Sequence, residues 1–333
     1  MIENTTYEEP VTVAEATRGN VVRSTAVHAV VAALMFVSPL QLFVPSAYIH
    51  AGLRNGWRAM WGAILGSVAI LAGITAMTAT DAHLLGQTAA IGRLLLEIGV
   101  PAAIAFWMIR RNATIGTLLA AVIVSSVAGF VVAELVMRVT ASYSPYAAIV
   151  ANFRSASSST IEFYRGLGMA EEGLRAMSRM SDALSGAYLP ALLVSVTALM
   201  FTLSLIMIPR LPAGRATGSQ YLFRNLAWPD LMLIGFVLGG LAPLASGSLR
   251  VAGFNVLAVV AFLYMLQGLA VFRSLLIRME VRLFGNVIAY TTLVLLTFNL
   301  IAPFLLFLGG LFDPFFDFRN FSRKDDSDES DSD

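Results

Sequence analysis

The sequence predicts an all-α fold, a polytopic membrane helix bundle with about eight transmembrane helices and one amphipathic insert. Of its 333 residues, 57% are hydrophobic and 13% are charged, and the mean hydropathy is +0.75. That composition is too apolar for a soluble globular domain. The apolar residues form runs of about 20, the length that a helix needs to cross the hydrocarbon core. Because lipid offers the backbone no hydrogen-bond partner, such runs form helices.

The segments that this length rule predicts lie at 24–50, 57–79, 87–109, 113–137, 188–208, 230–247, 251–272 and 284–312. Pro39 and Pro45 interrupt the first one, which is therefore either one kinked helix or two shorter helices. The chain divides into a polar N-terminal segment (1–23), a first membrane half (24–141), an insert (142–187), a second membrane half (188–318) and an acidic tail (319–333). The tail repels itself and is predicted to be disordered.

Arginines fall on alternate loops between these segments. The basic loops carry Arg54 and Arg58, then Arg110 and Arg111, then Arg210, Arg215 and Arg224, then Arg273, Arg278 and Arg282. Arginine-rich loops stay in the cytoplasm, so the alternation orients the bundle. If every segment crosses once, Arg319, Arg323 and Lys324 fall on the opposite side, and the side of the C-terminus is left open. The acidic N-terminus is unlike a cleavable signal peptide, so the first membrane segment is expected to direct insertion.

The insert at 142–187 is predicted to contain an amphipathic helix from Ala170 onward. Its apolar face carries Leu174, Met177, Ser181 and Leu184, and its polar face carries Glu171, Arg175, Arg179 and Asp182. One interpretation is a helix that lies on the membrane surface or caps the bundle. The other is a helix that docks a partner protein.

The composition excludes several kinds of site. The chain has no cysteine, and its three histidines, His28, His50 and His83, lie in different segments, so no metal site is predicted. It has no Walker loop, no Ser/His/Asp spacing and no H-E-x-x-H motif. We therefore predict no catalytic residue, no cofactor and no enzymatic activity. A formal net charge of +1 without a basic face argues against nucleic acid as a partner.

Polar side chains at membrane depth are the candidate ligand-binding residues, because each is costly to place there. They are Glu97, Asn255, Tyr264 and Gln267. Arg93 lies one turn before Glu97 and is its expected partner, with Glu97 facing the bundle interior. Two interpretations stay open for these groups. They either hydrogen-bond between helices as structural contacts or line a cavity that holds a small polar molecule.

The last apolar segment ends in the stretch 309–319, which contains two glycines, four phenylalanines, one proline and two aspartates. Its candidate structural residues are Asp313, Asp317 and Arg319. The rings favour the membrane interface, and Arg319 can neutralise either carboxylate. We expect an ordered structural lock here. Asp317→Asn is then expected to lower thermal stability in detergent and to leave ligand affinity largely intact.

Several patches resemble the YybS-like family of bacterial multi-pass membrane proteins. They are Pro45 with the turn at 53–56, the stretch 223–229, Asn255 with the Tyr-x-x-Gln-Gly-Leu-Ala stretch at 263–270, and the closing signature at 310–319. The closing signature is the most specific of these. The insert contains no matching motif. The resemblance implies residence in the bacterial cytoplasmic membrane.

That family is distantly similar in arrangement to the substrate-binding components of energy-coupling-factor vitamin transporters. The similarity implies an occluded cavity lined by Tyr264, Gln267, Asn255 and Glu97, with the lipid bilayer, a small-molecule ligand and an ATPase module as partners. Such a likeness at fold level carries little about function by itself. The rival hypothesis is a membrane scaffold that recruits protein partners through the insert and the tails.

Overall fold

The computed structural model describes residues 18–78, 81–211, 222–244, 246–281, 283–297, 301–316 and 318–319. Within these ranges the regular structure is helical, and no β-strand occurs. The α-helices are α1 (Arg18–Phe36), α2 (Val44–Asn55), α3 (Trp57–Thr78), α4 (Asp81–Arg93), α5 (Val100–Arg110), α6 (Ile115–Ala141), α7 (Pro145–Gly166), α8 (Glu171–Ala183), α9 (Leu189–Met207), α10 (Leu231–Gly240), α11 (Gly247–Arg278), α12 (Leu283–Thr297) and α13 (Ile301–Phe316).

Six helical spans in the described chain are long and apolar enough to cross a membrane. They are Gly19–Phe36, Trp57–Thr78, Gly86–Arg110, Ile115–Ala141, Glu171–Arg210 and Gly247–Arg278. The pair α12 and α13 makes a seventh if it is counted as one bent span. The predicted all-α membrane bundle is confirmed, whereas the count of eight is not. The described residues of the predicted segment 230–247 form the short helix α10, a 3₁₀ turn and the first residue of α11, because the chain turns back after Gly240.

The first predicted segment forms two helices joined by a 3₁₀ turn at Pro39–Phe43. The Ser38 side chain caps this turn by accepting the N–H of Leu40, and Pro39 supplies the fixed backbone angle of its first position. Helix α2 then runs back along α1. His28 of α1 contacts His50 of α2 at 2.9 Å, so the two helices form an antiparallel hairpin.

The first membrane half is held to α9 by a common core. The largest fully buried side chains include Tyr48 of α2, Phe106 of α5 and Phe201 of α9. The Tyr48 hydroxyl pairs with the Ser67 hydroxyl at 2.6 Å, so its polar end has a partner inside the core.

Close contacts place the arginine-bearing turns at one end of the bundle. A Cβ atom at Gly116, near the start of α6, would overlap the backbone of Ala227. Arg319 donates to the carbonyl oxygen of Leu226 at 2.6 Å, and Arg278 donates to that of Arg319 at 3.0 Å. We call this the Arg-rich end.

Arg319 lies at the Arg-rich end and not at the opposite end, where one crossing per segment would place it. Helices α12 and α13 meet at 108°, so they do not form one straight crossing. Arg215, Arg282, Arg323 and Lys324 lie outside the described residues, as do the N-terminal residues 1–17 and the acidic tail beyond Arg319.

The insert forms a helical hairpin of α7 and α8, which we call the α7–α8 hairpin. Helix α8 is amphipathic as predicted, with Leu174 buried on its inner face. It continues through a π-helical turn into α9, giving one helix of 40 residues from Glu171 to Arg210. That helix is about 60 Å long, roughly twice the hydrocarbon thickness. Helix α8 is therefore continuous with α9. The two interpretations of it, a surface or capping helix and a helix that docks a partner, stay predictions.

Candidate functional site

A π-helical turn at Leu94–Gly99 interrupts the helix that α4 and α5 form together. Pro101 has no N–H, so the carbonyl oxygen of Glu97 loses the donor that a regular helix would supply. The Ser126 hydroxyl of α6 donates to that oxygen at 2.9 Å. Gly129 allows this approach, because a Cβ there would overlap the carbonyl of Leu96. Such π turns are frequent at functional sites.

Arg93 and Glu97 form the predicted ion pair on this segment. Arg93 Nε lies 2.7 Å from Glu97 Oε1, and the Arg93 guanidinium sits 5.9 Å from the centre of the Phe130 ring. The Glu97 side chain is 13% exposed and that of Arg93 is 34% exposed. Glu97 thus faces the bundle interior, as expected for a carboxylate at this depth.

The ion pair lines a cavity of about 410 Å³, which we call the Arg93 cavity. Four further polar side chains line it, namely Gln41, Ser126, Tyr146 and Thr197. The rest of the wall is mostly apolar and includes Phe36, Phe130, Val194 and Met200. A concave, mainly apolar site with a few polar groups is the usual form of a small-molecule pocket, and the volume is in the usual range.

The cavity lies far from the Arg-rich end. Along the helix axis, Glu97 is about 20 Å and Arg93 about 25 Å from Arg110. Tyr146 at the start of α7 and Pro190 near the start of α9 also line the cavity. Both ends of the α7–α8 hairpin therefore border it.

Asn255 does not reach the Arg93 cavity. Its side-chain amide accepts from the N–H of Ala191 at 2.9 Å and donates to the carbonyl of Ala187 at 2.7 Å. A regular α-helix pairs these two backbone groups with each other. Asn255 bridges them instead, at the π turn Leu184–Tyr188 that precedes Pro190.

Gln267 and Tyr264 also lie away from the Arg93 cavity. Gln267 is fully buried, accepts from the Trp228 N–H at 3.0 Å and donates to Asp313 Oδ2 at 3.1 Å. Tyr264 lines a separate cavity of about 210 Å³ beside Trp228 and Phe315. The four candidate ligand-binding residues thus do not converge on one pocket.

The closing stretch forms an ordered cluster, which we call the C-terminal lock. Arg319 contacts Asp313 at 2.9 Å and donates to the carbonyl oxygens of Arg224 and Leu226. Asp313 is 7% exposed, so the ion pair is buried and hydrogen-bonded to Gln267 as well. Arg319 therefore neutralises Asp313. Asp317 lies outside the described residues, so its predicted role stays a prediction.

Residues 26–314 match the model of a family described as predicted membrane protein (DUF2232). The chain belongs to this family. The matched range runs from α1 into α13, so it includes every wall of the Arg93 cavity and Asp313 of the lock. No curated protein and no solved structure matches the chain.

The DUF2232 chain also brings together polar groups that the sequence interpretation missed. Gln41, Ser126, Tyr146 and Thr197 join Glu97 in the cavity. Pro101 four residues after Glu97 was the available signal, because it predicts a broken helix that needs an outside donor. His28 of α1 and His50 of α2 also meet. Among the described residues no group of three or more potential metal ligands occurs.

Proposed function

We propose that this DUF2232 protein is a small-molecule binding or transport component of the membrane, with the Arg93 cavity as its binding site. The observation that carries the proposal is a charged pair at membrane depth that faces a cavity rather than a packed interface. Ionisable groups at such depth are costly, and they commonly mark ligand or ion pathways.

The chemistry of the cavity supports recognition of a ligand with both acceptor and donor groups. Within the described part of the chain, the Arg93 guanidinium uses only Nε toward Glu97. Its two terminal nitrogens are a planar fork suited to oxygen acceptors. One Glu97 oxygen receives Nε, and the other can accept from a ligand. Phe36, Phe130 and Tyr146 supply aromatic walls.

The same proposal includes the kind of membrane, the orientation of the protein in it and a partner protein. Arginines gathered at one end support a bacterial cytoplasmic membrane with that end inside. The resemblance to the YybS-like family, and through it to energy-coupling-factor components, supports an ATPase module as a partner at the Arg-rich end. We assign the protein no catalytic step.

A membrane scaffold is the second candidate, and the α7–α8 hairpin favours it. Helix α8 continues α9 as one helix of 40 residues, longer than a crossing needs. On the hairpin, Phe163, Leu167 and Met180 are each more than 60% exposed. Asn255 and Gln267 act as interhelical contacts, which is also what a scaffold requires. This candidate needs no ligand in the cavity.

Native mass spectrometry of the purified protein separates the two candidates. The measurement compares wild type with Glu97→Gln and with Gln41→Leu, which changes the cavity lining without touching the ion pair. Glu162→Gln is the matched control, since Glu162 forms an exposed i,i+3 pair with Arg165 outside the cavity. Melting temperatures in the same detergent show whether each variant folds.

We expect wild type and Glu162→Gln to retain a small molecule and the two cavity variants to lose it. Retention by folded Glu97→Gln and Gln41→Leu at the wild-type level would contradict the binding proposal. Wild-type protein that retains no small molecule and co-purifies with a partner bound to the hairpin would favour the scaffold.

A further inference from the structure

The Arg93 cavity opens sideways between α6 and α9. Five of its lining residues are exposed at the surface. Three of them are valines, Val127 (39%) and Val131 (48%) on α6 and Val196 (44%) on α9, and the other two are Gln41 and Pro190. Apart from Ala133, the buried residues of α6 lie between Ile115 and Ser126, toward the Arg-rich end. The helices are therefore less tightly covered in the half that holds the cavity, and the mouth lies there.

The protein surface around this mouth is apolar. Both helices belong to predicted spans with a mean hydropathy of 2.4. The exposed residues that flank the mouth on the same helices, Val124 and Leu192, are also apolar. Contact with such a surface does not stabilise a water-soluble molecule, whereas it lowers the free energy of an apolar tail.

The depth of the ion pair matches a lipid headgroup. Arg93 lies about 25 Å along the helix from Arg110, and the hydrocarbon core is about 30 Å thick. With Arg110 at the near boundary, Glu97 lies about 20 Å away and inside the core, and Arg93 lies within a few ångströms of the far boundary. A molecule whose tail leaves between α6 and α9 would hold its head at this level.

The charge of the ion pair limits the kind of headgroup that the cavity can bind. The Arg93–Glu97 pair is neutral as a whole, and an added net charge in a partly buried site would be costly. A zwitterion keeps the site neutral. A phosphate suits the terminal nitrogens of Arg93, and a primary ammonium can donate to the second oxygen of Glu97.

We propose that the Arg93 cavity binds a zwitterionic amphiphile with a phosphate and a primary ammonium in its head, of the phosphatidylethanolamine type, which enters sideways from the bilayer. This inference rests on the proposed function and names the ligand class of the same site. Its tail passes between Val131 and Val196, and its head contacts Arg93 and Glu97.

Lipid titration of delipidated protein, followed by native mass spectrometry, tests the inference. The probes are phosphatidylethanolamine, phosphatidylcholine, phosphatidylglycerol and free phosphoethanolamine. Phosphatidylcholine has no N–H for Glu97, phosphatidylglycerol has no cation, and phosphoethanolamine has no tail. Val131→Trp narrows the mouth, and Val132→Trp is its control, since Val132 is equally exposed at 48% but does not line the cavity.

We expect phosphatidylethanolamine to bind wild type and Val132→Trp at least about tenfold more tightly than the other three probes, a difference of about 1.4 kcal/mol. Val131→Trp should lose that preference. Equal binding of phosphatidylglycerol, equal binding of phosphoethanolamine, or identical behaviour of the two tryptophan variants would overturn the inference.

The proposed function can survive that result. If a water-soluble molecule is retained in a Glu97-dependent way and Val131→Trp leaves it in place, the cavity is a binding site and the lipid assignment is wrong. If no molecule depends on Glu97 at all, both the proposed function and this inference fail.

Discussion

Two helices are interrupted by π turns, at Leu94–Gly99 and at Leu184–Tyr188, and each turn leaves backbone groups without their regular helical partner. At membrane depth no water is available to replace that partner. Single polar side chains from neighbouring helices supply the missing hydrogen-bond partners. Ser126 donates to the Glu97 carbonyl, and Asn255 bridges Ala187 and Ala191. At residue scale these two groups are structural partners of broken helices, and one of the breaks shapes the Arg93 cavity.

Asn255→Ala should destabilise the protein by about 1 to 3 kcal/mol, because it leaves a donor and an acceptor of the backbone without partners. The measurement is the melting temperature in detergent. Asn152→Ala is the matched control, since Asn152 is exposed on α7, and it should change little. Equal melting temperatures for the two variants would show that the bridge contributes no stability.

Asp313→Asn should destabilise the protein by about 3 to 5 kcal/mol, the usual result of breaking a buried ion pair. Arg319 would lose its charged partner inside the lock, 2.9 Å away. Thermal unfolding in detergent measures the loss, and Glu162→Gln on the exposed pair with Arg165 is the control. Because Asp313 does not line the Arg93 cavity, we also expect the folded fraction of Asp313→Asn to retain the ligand as wild type does.

Helices α11 and α13 show at element scale how glycines set helix spacing. A Cβ at Gly268 would overlap the carbonyl of Leu306, and one at Gly310 would overlap that of Tyr264. The two backbones therefore touch, as small residues permit between membrane helices. This contact places α13 so that Asp313 reaches Gln267 and Arg319 reaches the turn at 223–226.

Adjacent glycines of α13 allow a matched test of that contact. Gly310→Ala must push α11 and α13 apart and should lower the melting temperature strongly. Gly309→Ala meets no atom within 4 Å and should raise helix stability by about 0.5 to 1 kcal/mol. Similar melting temperatures for the two variants would contradict the close packing of these helices.

The whole molecule has two chemically different ends. One gathers Arg54, Arg110, Arg210, Arg278 and Arg319 near the helix ends. The other carries the α7–α8 hairpin, and the Arg93 cavity lies in the half next to it. A ligand taken up there would be held on the side of the membrane opposite the arginines.

Cysteine labelling can test this arrangement, and the absence of native cysteines removes any background. Ser158→Cys on α7 should react with an impermeant thiol reagent in intact spheroplasts. Arg111→Cys should react only after the membrane is opened, and a C-terminal epitope tag should be protected from added protease in the same way. Labelling of both cysteines from one side would refute the topology.

Local pairs were predictable, whereas distant ones were not. Arg93 and Glu97 are one helical turn apart, so periodicity alone predicts their contact. Asn255 and Ala191 are 64 residues apart, and Gln267 and Asp313 are 46 apart. The polarity of Asn255 and Gln267 at membrane depth marked them as important, but it did not separate a ligand contact from an interhelical bond.

The sequence by itself determined the membrane location, the helical fold and the Arg93–Glu97 pair. These follow from hydropathy, helix periodicity and the cost of charge in lipid. The tertiary structure alone decided that Glu97 faces the Arg93 cavity, that Asn255 and Gln267 do not line that cavity, that α8 is continuous with α9 and that Arg319 returns to the Arg-rich end. Each of these depends on which helices pack together, and between apolar helices that choice is made by close backbone contacts and a few polar groups rather than by hydropathy.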